Sequence, residues 1–205
     1  MHFDGTVRVG APNWVGMAEI REVVNEHAAW ITERLAKVRA ALPRYHTGAA
    51  HPYLGRAYPL RVVTTAKPEV SFGRGGFVVG VRERADEHVR AELSKWYRAR
   101  AGELLPRRLE RMAARAPWVT RVPALRIRRM RAQWGSCCET GLITLNARLV
   151  KAPLRLIDYV ILHELVHLKH HDHGRGFERL MDAHMPDWRR RRRELNTLGE
   201  RLLYD

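Results

Sequence analysis

The sequence contains little cysteine and no long apolar run. Its two cysteines, Cys137 and Cys138, are adjacent, so a disulfide between them would be strained, and neither belongs to a CxxC pair of the kind that forms a structural zinc ribbon. No stretch approaches the roughly 18 consecutive apolar residues of a membrane helix. The N-terminal segment lacks the basic start, apolar core and cleavage site of a signal peptide. We therefore expect a soluble, cytoplasmic protein with no membrane partner.

Lysine is also scarce, since five lysines stand beside 32 arginines in a chain of net charge +15. Clustered basic side chains bind phosphates, and the densest clusters here are Arg189–Arg193 and the four arginines between Arg126 and Arg131. The other arginines are spread over every predicted helix, as on solvated faces, and an arginine-rich, alanine-rich composition also arises from a GC-rich genome. Nucleic acid or a ribosome is therefore an alternative partner that the charge alone does not establish.

With 205 residues, of which 45% are hydrophobic, the chain is large enough for one domain with a core. We predict a single domain over residues 1–205, with N-terminal helices and a sheet in 1–120 and a second part in 121–205. Apolar residues at steps of three and four predict four helical regions: Ile20–Leu42, Asp86–Met112, a helix that starts near Pro153, and Gly176–Tyr204. The second should be kinked or broken at Gly102 and Pro106, and the last should be broken at Met185–Pro186. His27 lies on the apolar side of the first of these and is expected to be a core histidine.

Alternating patterns predict the strands. They occur at Thr6–Gly10, Leu60–Thr64, Val70–Phe72, Phe77–Val81, Leu125–Arg131 and Leu142–Asn146. We expect the three strands between Leu60 and Val81 to form one mostly antiparallel sheet, with a glycine turn at Gly73–Gly76. The last two strands are expected to form a hairpin whose loop, Trp134–Cys138, precedes the helix that starts near Pro153.

That helix contains His163-Glu164-Leu165-Val166-His167. Histidines at i and i+4 project from the same helix face about 6 Å apart, so both imidazoles can bind one metal ion. Glu164 follows the first histidine, where its carboxylate can take a proton from water without becoming a ligand. The flanking residues are apolar, which is typical of a helix that passes through a core. The pattern indicates a site for zinc-assisted hydrolysis.

A catalytic zinc ion takes three protein ligands and leaves a fourth position for water. The candidates for the third ligand are His170, His171, His173, Glu178, Asp182 and His184. We favour His173, because Asp172 and Gly174 on either side of it allow the chain to leave the helix and turn back. Glu178 is the main competitor.

Several segments resemble the YgjP-like metallopeptidase family, whose members are related to the SprT-like zincins. The similar segments are Trp30-Ile31, Tyr53-Leu54-Gly55-Arg56, Tyr58–Val62, Met130–Cys137, Ile143–Asn146, Leu149, Pro153, Asp158–Val160 and His163–His173. The resemblance implies an α+β, zincin-like fold, in which a small, mostly antiparallel sheet packs against helices and one helix carries the HExxH motif. It also implies Zn²⁺ as cofactor, with His163, His167 and His173 at the metal positions and Glu164 as the catalytic acid and base. Asp172 and Gly174 differ from the residues that usually flank the third ligand in this family.

Together these features predict a zinc metallopeptidase that acts on a protein or peptide substrate. The proposed reaction needs a group that stabilises the oxyanion, and Tyr159, Arg175 and His184 are the candidates. Asp158 and Asp172 are candidates to orient a ligand imidazole. The alternative function is a zinc-containing module without catalysis, whose basic surface binds nucleic acid or a ribosome.

Overall fold

A computed structural model describes residues 9–41, 43–130 and 132–203. These residues divide into two compact units, one that ends at Pro43 and one that runs from Arg44 to Leu203. The first unit contains helices α1 (Met17–Glu26) and α2 (Ala28–Ala41). The second contains β1 (Ala50–Tyr53), β2 (Arg56–Thr64), β3 (Glu69–Gly73), β4 (Gly76–Val81), α3 (Asp86–Ala113), β5 (Leu125–Arg128), β6 (Gly135–Cys137), β7 (Ile143–Asn146), a short 3-10 helix (Ala147–Lys151), α4 (Leu154–His167), α5 (Arg175–His184) and α6 (Trp188–Leu202).

The architecture is α+β, as predicted, with small sheets packed against helices. Of the five strand pairs within the ranges described, three are antiparallel. Among the described residues, no helix has both the length and the apolar character that crossing a membrane would require.

In the N-terminal unit, the single helix expected over Ile20–Leu42 is interrupted at His27. The Nδ1 atom of His27 lies 2.9 Å from the carbonyl oxygen of Val23, so this imidazole binds the last turn of α1. The side chain is exposed, and the prediction of a core histidine was wrong. The strand expected at Thr6–Gly10 falls largely outside the described residues, and positions 9 and 10 lie in no strand.

The first sheet has the strand order β1-β2-β4-β3. Its β3–β4 pair is the predicted glycine hairpin, in which Gly76 has a φ of +98° that favours glycine. The sheet was expected to be mostly antiparallel, and the β1–β2 and β3–β4 pairs are antiparallel, whereas β2 and β4 pair in parallel. The reason is that β3 occupies the sheet edge beyond β4, so the chain crosses over before it returns next to β2.

Helix α3 runs unbroken for 28 residues through Gly102 and Pro106, where a kink or break was expected. Leu105 directly precedes the proline, Leu109 follows it by one turn, and both side chains are buried. Burying these side chains on both sides of Pro106 offsets the roughly 3 kcal/mol that an interior proline costs a helix.

The strand pairing in the second sheet differs from the predicted hairpin. Its order is β5-β7-β6, with β5 and β7 parallel and β6 antiparallel to β7. The expected loop contributes a strand of its own, β6, and this strand rather than β5 forms the hairpin with β7. Of the described strands, β6 is thus at an edge of its sheet, beside helix α4.

Helix α4 begins directly after Pro153, as predicted, and is buried on most of its surface. The indole N–H of Trp118 donates a hydrogen bond of 2.8 Å to the carbonyl of Leu165 in its last turn. The same carbonyl accepts the amide of Leu168 at 3.3 Å, so Trp118 adds a second donor at the end of the helix. Helices α5 and α6 are separated at Met185–Pro186, also as predicted.

Candidate active site

The structure brings His163, His167 and His173 together. His163 and His167 are one turn apart on α4, and the chain turns back after the helix so that His173 faces them. The Nε2 atom of His163 lies 3.2 Å from Nε2 of His167 and 3.2 Å from Nε2 of His173. Two nitrogens bound to one tetrahedral zinc ion at 2.0–2.1 Å would be separated by about 3.3 Å. The spacing and the donor atoms therefore fit a zinc ion held by three imidazoles.

The other candidates for the third ligand lie elsewhere. Glu178 is 3.2 Å from Arg189, and Asp182 binds the same guanidinium. His184 packs against the ring of Trp118 at a centroid distance of 4.8 Å. His170 packs over Gly176, and His171 is exposed. Among the described residues, only His163, His167 and His173 form a group that could hold a metal ion.

Phe177 of α5 forms the floor of this cluster. It is 1% exposed, and its ring centroid lies 4.7–4.9 Å from those of all three imidazoles. Burial is also the main reason that the pKa of His163 is lowered to about 3, and it lowers the pKa of His167. At neutral pH both imidazoles are therefore neutral, the form that binds metal.

A backbone contact orients His167. Its Nδ1 atom lies 2.9 Å from the carbonyl oxygen of His170, and donation of the Nδ1 proton to this carbonyl leaves the lone pair of Nε2 directed at the cluster. Asp158 and Asp172, which were expected to orient an imidazole, have other partners. Asp158 forms a two-point ion pair with Arg108 of α3, and Asp172 accepts from the Gly174 amide at 3.4 Å.

Glu164 is buried between α4 and the edge strand β6. Its side chain is 4% exposed, and burial raises the pKa of its carboxyl to about 8. The carboxylate packs directly over Gly135. A Cβ atom at Gly135 would lie 2.5 Å from Oε1 and 2.9 Å from Cδ of Glu164, closer than van der Waals contact allows. The backbone of β6 thus leaves a space that the carboxylate fills.

Cys137 lies two residues after Gly135 in β6, and both burial and the charge of Glu164 affect the pKa of its thiol. Burial, and then the charges of Glu164 and Cys138, raise the pKa of its thiol to about 11. A thiol with this pKa is protonated at neutral pH, so Cys137 is unsuited to act as a nucleophile.

Three contacts of the site were not predicted from the sequence. Gly135 lies in the segment Met130–Cys137 that resembles the family, and Phe177 lies in the helix predicted over Gly176–Tyr204, but the sequence assigns neither of them, nor Trp118, a role in the site. A glycine in a strand does signal a close approach of another group, which could have pointed to Gly135. The roles of Phe177 and Trp118 depend on tertiary contacts that leave no local pattern.

A helix that carries two histidines and a buried glutamate, with a third histidine folded back beside them, is the arrangement of a metal-dependent hydrolase. The model of the YgjP-like, metallopeptidase domain family matches residues 1–198. The chain therefore belongs to the YgjP-like family, and its general activity is that of a metallopeptidase. A catalytic metal, usually zinc, and a protein or peptide substrate follow from this class.

Two solved structures are similar to part of the chain. One is the metallopeptidase zymogen of Methanocaldococcus jannaschii jannalysin, with 20% identity, coverage of 45% of this chain and 94% of that one, and a TM-score of 0.41. The other is the metallopeptidase zymogen of Pyrococcus abyssi abylysin, with 24% identity, coverage of 47% and 96%, and a TM-score of 0.42. No curated protein matches the sequence.

Proposed function

We propose that the protein is a zinc peptidase in which His163, His167 and His173 hold the metal and Glu164 is the general base. The observation that carries this proposal is the convergence of three imidazole nitrogens, with separations of 3.2 Å from His163 to each of the other two. When bound, zinc supplies Lewis-acid polarisation of the scissile carbonyl and of the attacking water.

Glu164 would take a proton from the attacking water and deliver it to the leaving nitrogen. Burial raises the pKa of the carboxyl to about 8, so its carboxylate is a stronger base than that of an exposed glutamate and holds the proton until it reaches the leaving nitrogen. The contact with Gly135 fixes the direction of the carboxylate, which is a neighbour in sequence of the ligand His163. A base that is held in place loses little entropy when it reacts.

The edge strand β6 supports binding of an extended peptide. It pairs with β7 on one side only, and Gly135 at its start contacts Glu164. A peptide that adds to the free edge would bind through main-chain hydrogen bonds, so recognition would tolerate many side chains. The peptide would then lie across the carboxylate that acts on it.

The test is zinc content and cleavage of an unfolded protein, measured on the same preparations. The wild type is expected to bind about one zinc ion per chain and to cleave. Glu164→Gln should keep the zinc and lose cleavage, whereas His173→Ala should lose the zinc. His171→Ala is the matched control, because this exposed histidine of the same loop lies outside the cluster.

Two results would contradict the proposal. Full zinc content in His173→Ala would exclude this residue as the third ligand, and wild-type cleavage by Glu164→Gln would exclude the general base. Nucleic-acid binding by the basic surface and a cytoplasmic location stay predictions from composition.

A further inference from the structure

The arginine run Arg189–Arg193 at the start of α6 is largely neutralised by neighbouring carboxylates. Arg189 binds Glu178 and Asp182, and both Arg190 and Arg191 bind Asp187. Arg192 and Arg193 are exposed and form no ion pair with the residues that the structure describes. Within this run, two guanidinium groups therefore remain available for an anion from outside.

Arg192 differs from Arg193 in the face of α6 from which it projects. It lies four residues after Trp188 and three residues before Leu195, and both of these side chains are buried at 3% exposure. Residues at these spacings share one helix face. Arg192 thus emerges from the buried face of α6, whereas Arg193 is about 100° further round the helix.

That face of α6 packs along α4. A guanidinium N–H of Arg191 donates to the carbonyl of Arg155 at 3.0 Å, and Arg155 pairs with Glu194. At the other end of the contact, the ring of Trp188 lies 6.5 Å from that of Phe177, the floor of the histidine cluster. Arg192 follows Trp188 by one turn of α6 and precedes Glu194 by two residues, so it lies along this contact.

A third contact shows which way this face of α6 points. Gly199 lies two turns after Arg192 on the same face, and a Cβ atom there would lie 3.6 Å from Nε1 of Trp134, the residue before Gly135 of β6. The face therefore extends from Phe177 towards the strand that contacts Glu164. Arg192 is exposed on this face, and its cation also offsets part of the rise that burial causes in the pKa of Tyr159, whose ring lies 6.0 Å from that of His163. The guanidinium is therefore at the rim of the candidate active site.

We propose that Arg192 is a substrate-binding residue that recognises a carboxylate of the peptide close to the scissile bond. The inference rests on the proposed function. A planar guanidinium binds a carboxylate through two parallel hydrogen bonds, and the preceding Arg189, Arg190 and Arg191 already have carboxylate partners of their own. The carboxylate belongs either to an acidic side chain or to the C-terminus of the substrate.

The test measures binding apart from cleavage, with zinc-loaded Glu164→Gln protein and fluorescein-labelled alanine peptides. One series carries a single Glu at successive positions, and a second series carries Gln instead. Each peptide is made with a free C-terminal acid and with an amide. Fluorescence anisotropy gives the Kd, and the ratio of Kd values within each acid and neutral pair measures recognition of the carboxylate.

We expect one acidic position, or the free C-terminus, to bind about tenfold more tightly than its neutral partner, as a charge-assisted hydrogen bond provides. Arg192→Ala should abolish this preference, Arg192→Lys should retain part of it, and Arg193→Ala should leave it intact. The Glu series identifies a side-chain carboxylate, and the acid and amide pairs identify a C-terminal one. Added salt should weaken the preference.

Three results would overturn the inference: equal binding of all acid and neutral pairs, an unchanged preference in Arg192→Ala, or the same loss in Arg193→Ala as in Arg192→Ala. The last result would show that the preference for the carboxylate depends on net charge and not on the position of Arg192. Failure of the proposed peptidase activity gives a different result. In that case zinc-loaded wild-type protein cleaves none of the peptides, while the binding assay still measures the preference for the carboxylate and its dependence on Arg192.

Discussion

Substitution of Gly135 by alanine should displace the Glu164 carboxylate without disturbing the histidines. The new methyl group would lie 2.5 Å from Oε1 and 2.9 Å from both Cδ and Cγ of Glu164. Restoring ordinary van der Waals separation requires a movement of about 1 Å. A misplacement of this size costs a reaction about 100-fold in rate. The φ angle of Gly135 is not in the left-handed region, so alanine fits the backbone and the effect is one of contact.

The assay for Gly135→Ala combines kcat on a peptide substrate with zinc content and the urea midpoint of unfolding. We expect kcat to fall about 100-fold while one zinc ion per chain is retained. Gly73→Ala is the matched control, since Gly73 also lies in a strand and a Cβ there would contact no atom within 4 Å. An unchanged kcat in a folded Gly135→Ala protein would refute the view that Gly135 positions Glu164.

Three further predictions concern the surroundings of the site. In chelator-treated protein, the free energy of unfolding should fall by up to about 1.4 kcal/mol per pH unit between pH 6.5 and 8, and Glu164→Gln should remove this slope in urea titrations. Asp158→Asn should cost about 2 kcal/mol of stability, because it leaves the half-buried Arg108 without its carboxylate, and should not alter zinc content. Phe177→Leu should weaken zinc affinity about tenfold in a chelator competition, because the three imidazoles lose the ring that supports them.

The sign of the pH effect follows from two opposed shifts. The pKa of Glu164 is raised from 4.5 to about 8, so the folded state holds a proton that the unfolded chain has released, and stability falls as pH rises through this range. The pKa of His163 is lowered from 6.5 to about 3, so its contribution to stability rises with pH up to 6.5 and is then constant. Above pH 6.5 the Glu164 contribution is therefore unopposed, and a slope that persists in Glu164→Gln would exclude it as the source.

For Asp158→Asn, a loss of zinc would show that this carboxylate does orient a ligand, contrary to its contact with Arg108. For Phe177→Leu, an unchanged zinc affinity would show that the imidazoles are held by α4 and its following turn alone.

Local features of the fold could be predicted from the sequence, and long-range pairings could not. The start of α4 at Pro153, the extent of α3 and the break at Met185–Pro186 follow from periodicity and from proline, which act within a few residues. The parallel pairing of β5 with β7 requires the chain to cross over β7 and form β6 on its far side before it returns, and no local sequence pattern indicates this crossover. The same limit explains why the break at His27 and the continuity of α3 through Pro106 were not predicted.

The candidate site shows the same division. His163, Glu164 and His167 could be named because a helix fixes their geometry, and His173 because a turn follows within reach. The contact between Gly135 and Glu164 joins residues far apart in sequence, and the position of Arg192 depends on how α6 packs on α4. Their roles required the three-dimensional structure.

The short span of the three histidines has a consequence for folding. His163 and His173 are only ten positions apart, and the segment that joins them is the end of one helix and a turn. Such local structure forms within microseconds, whereas the contact of Gly135 with Glu164 joins residues about three times as far apart in sequence. A refolding chain can therefore capture its metal before β6 reaches the glutamate, so metal uptake would precede the return of activity.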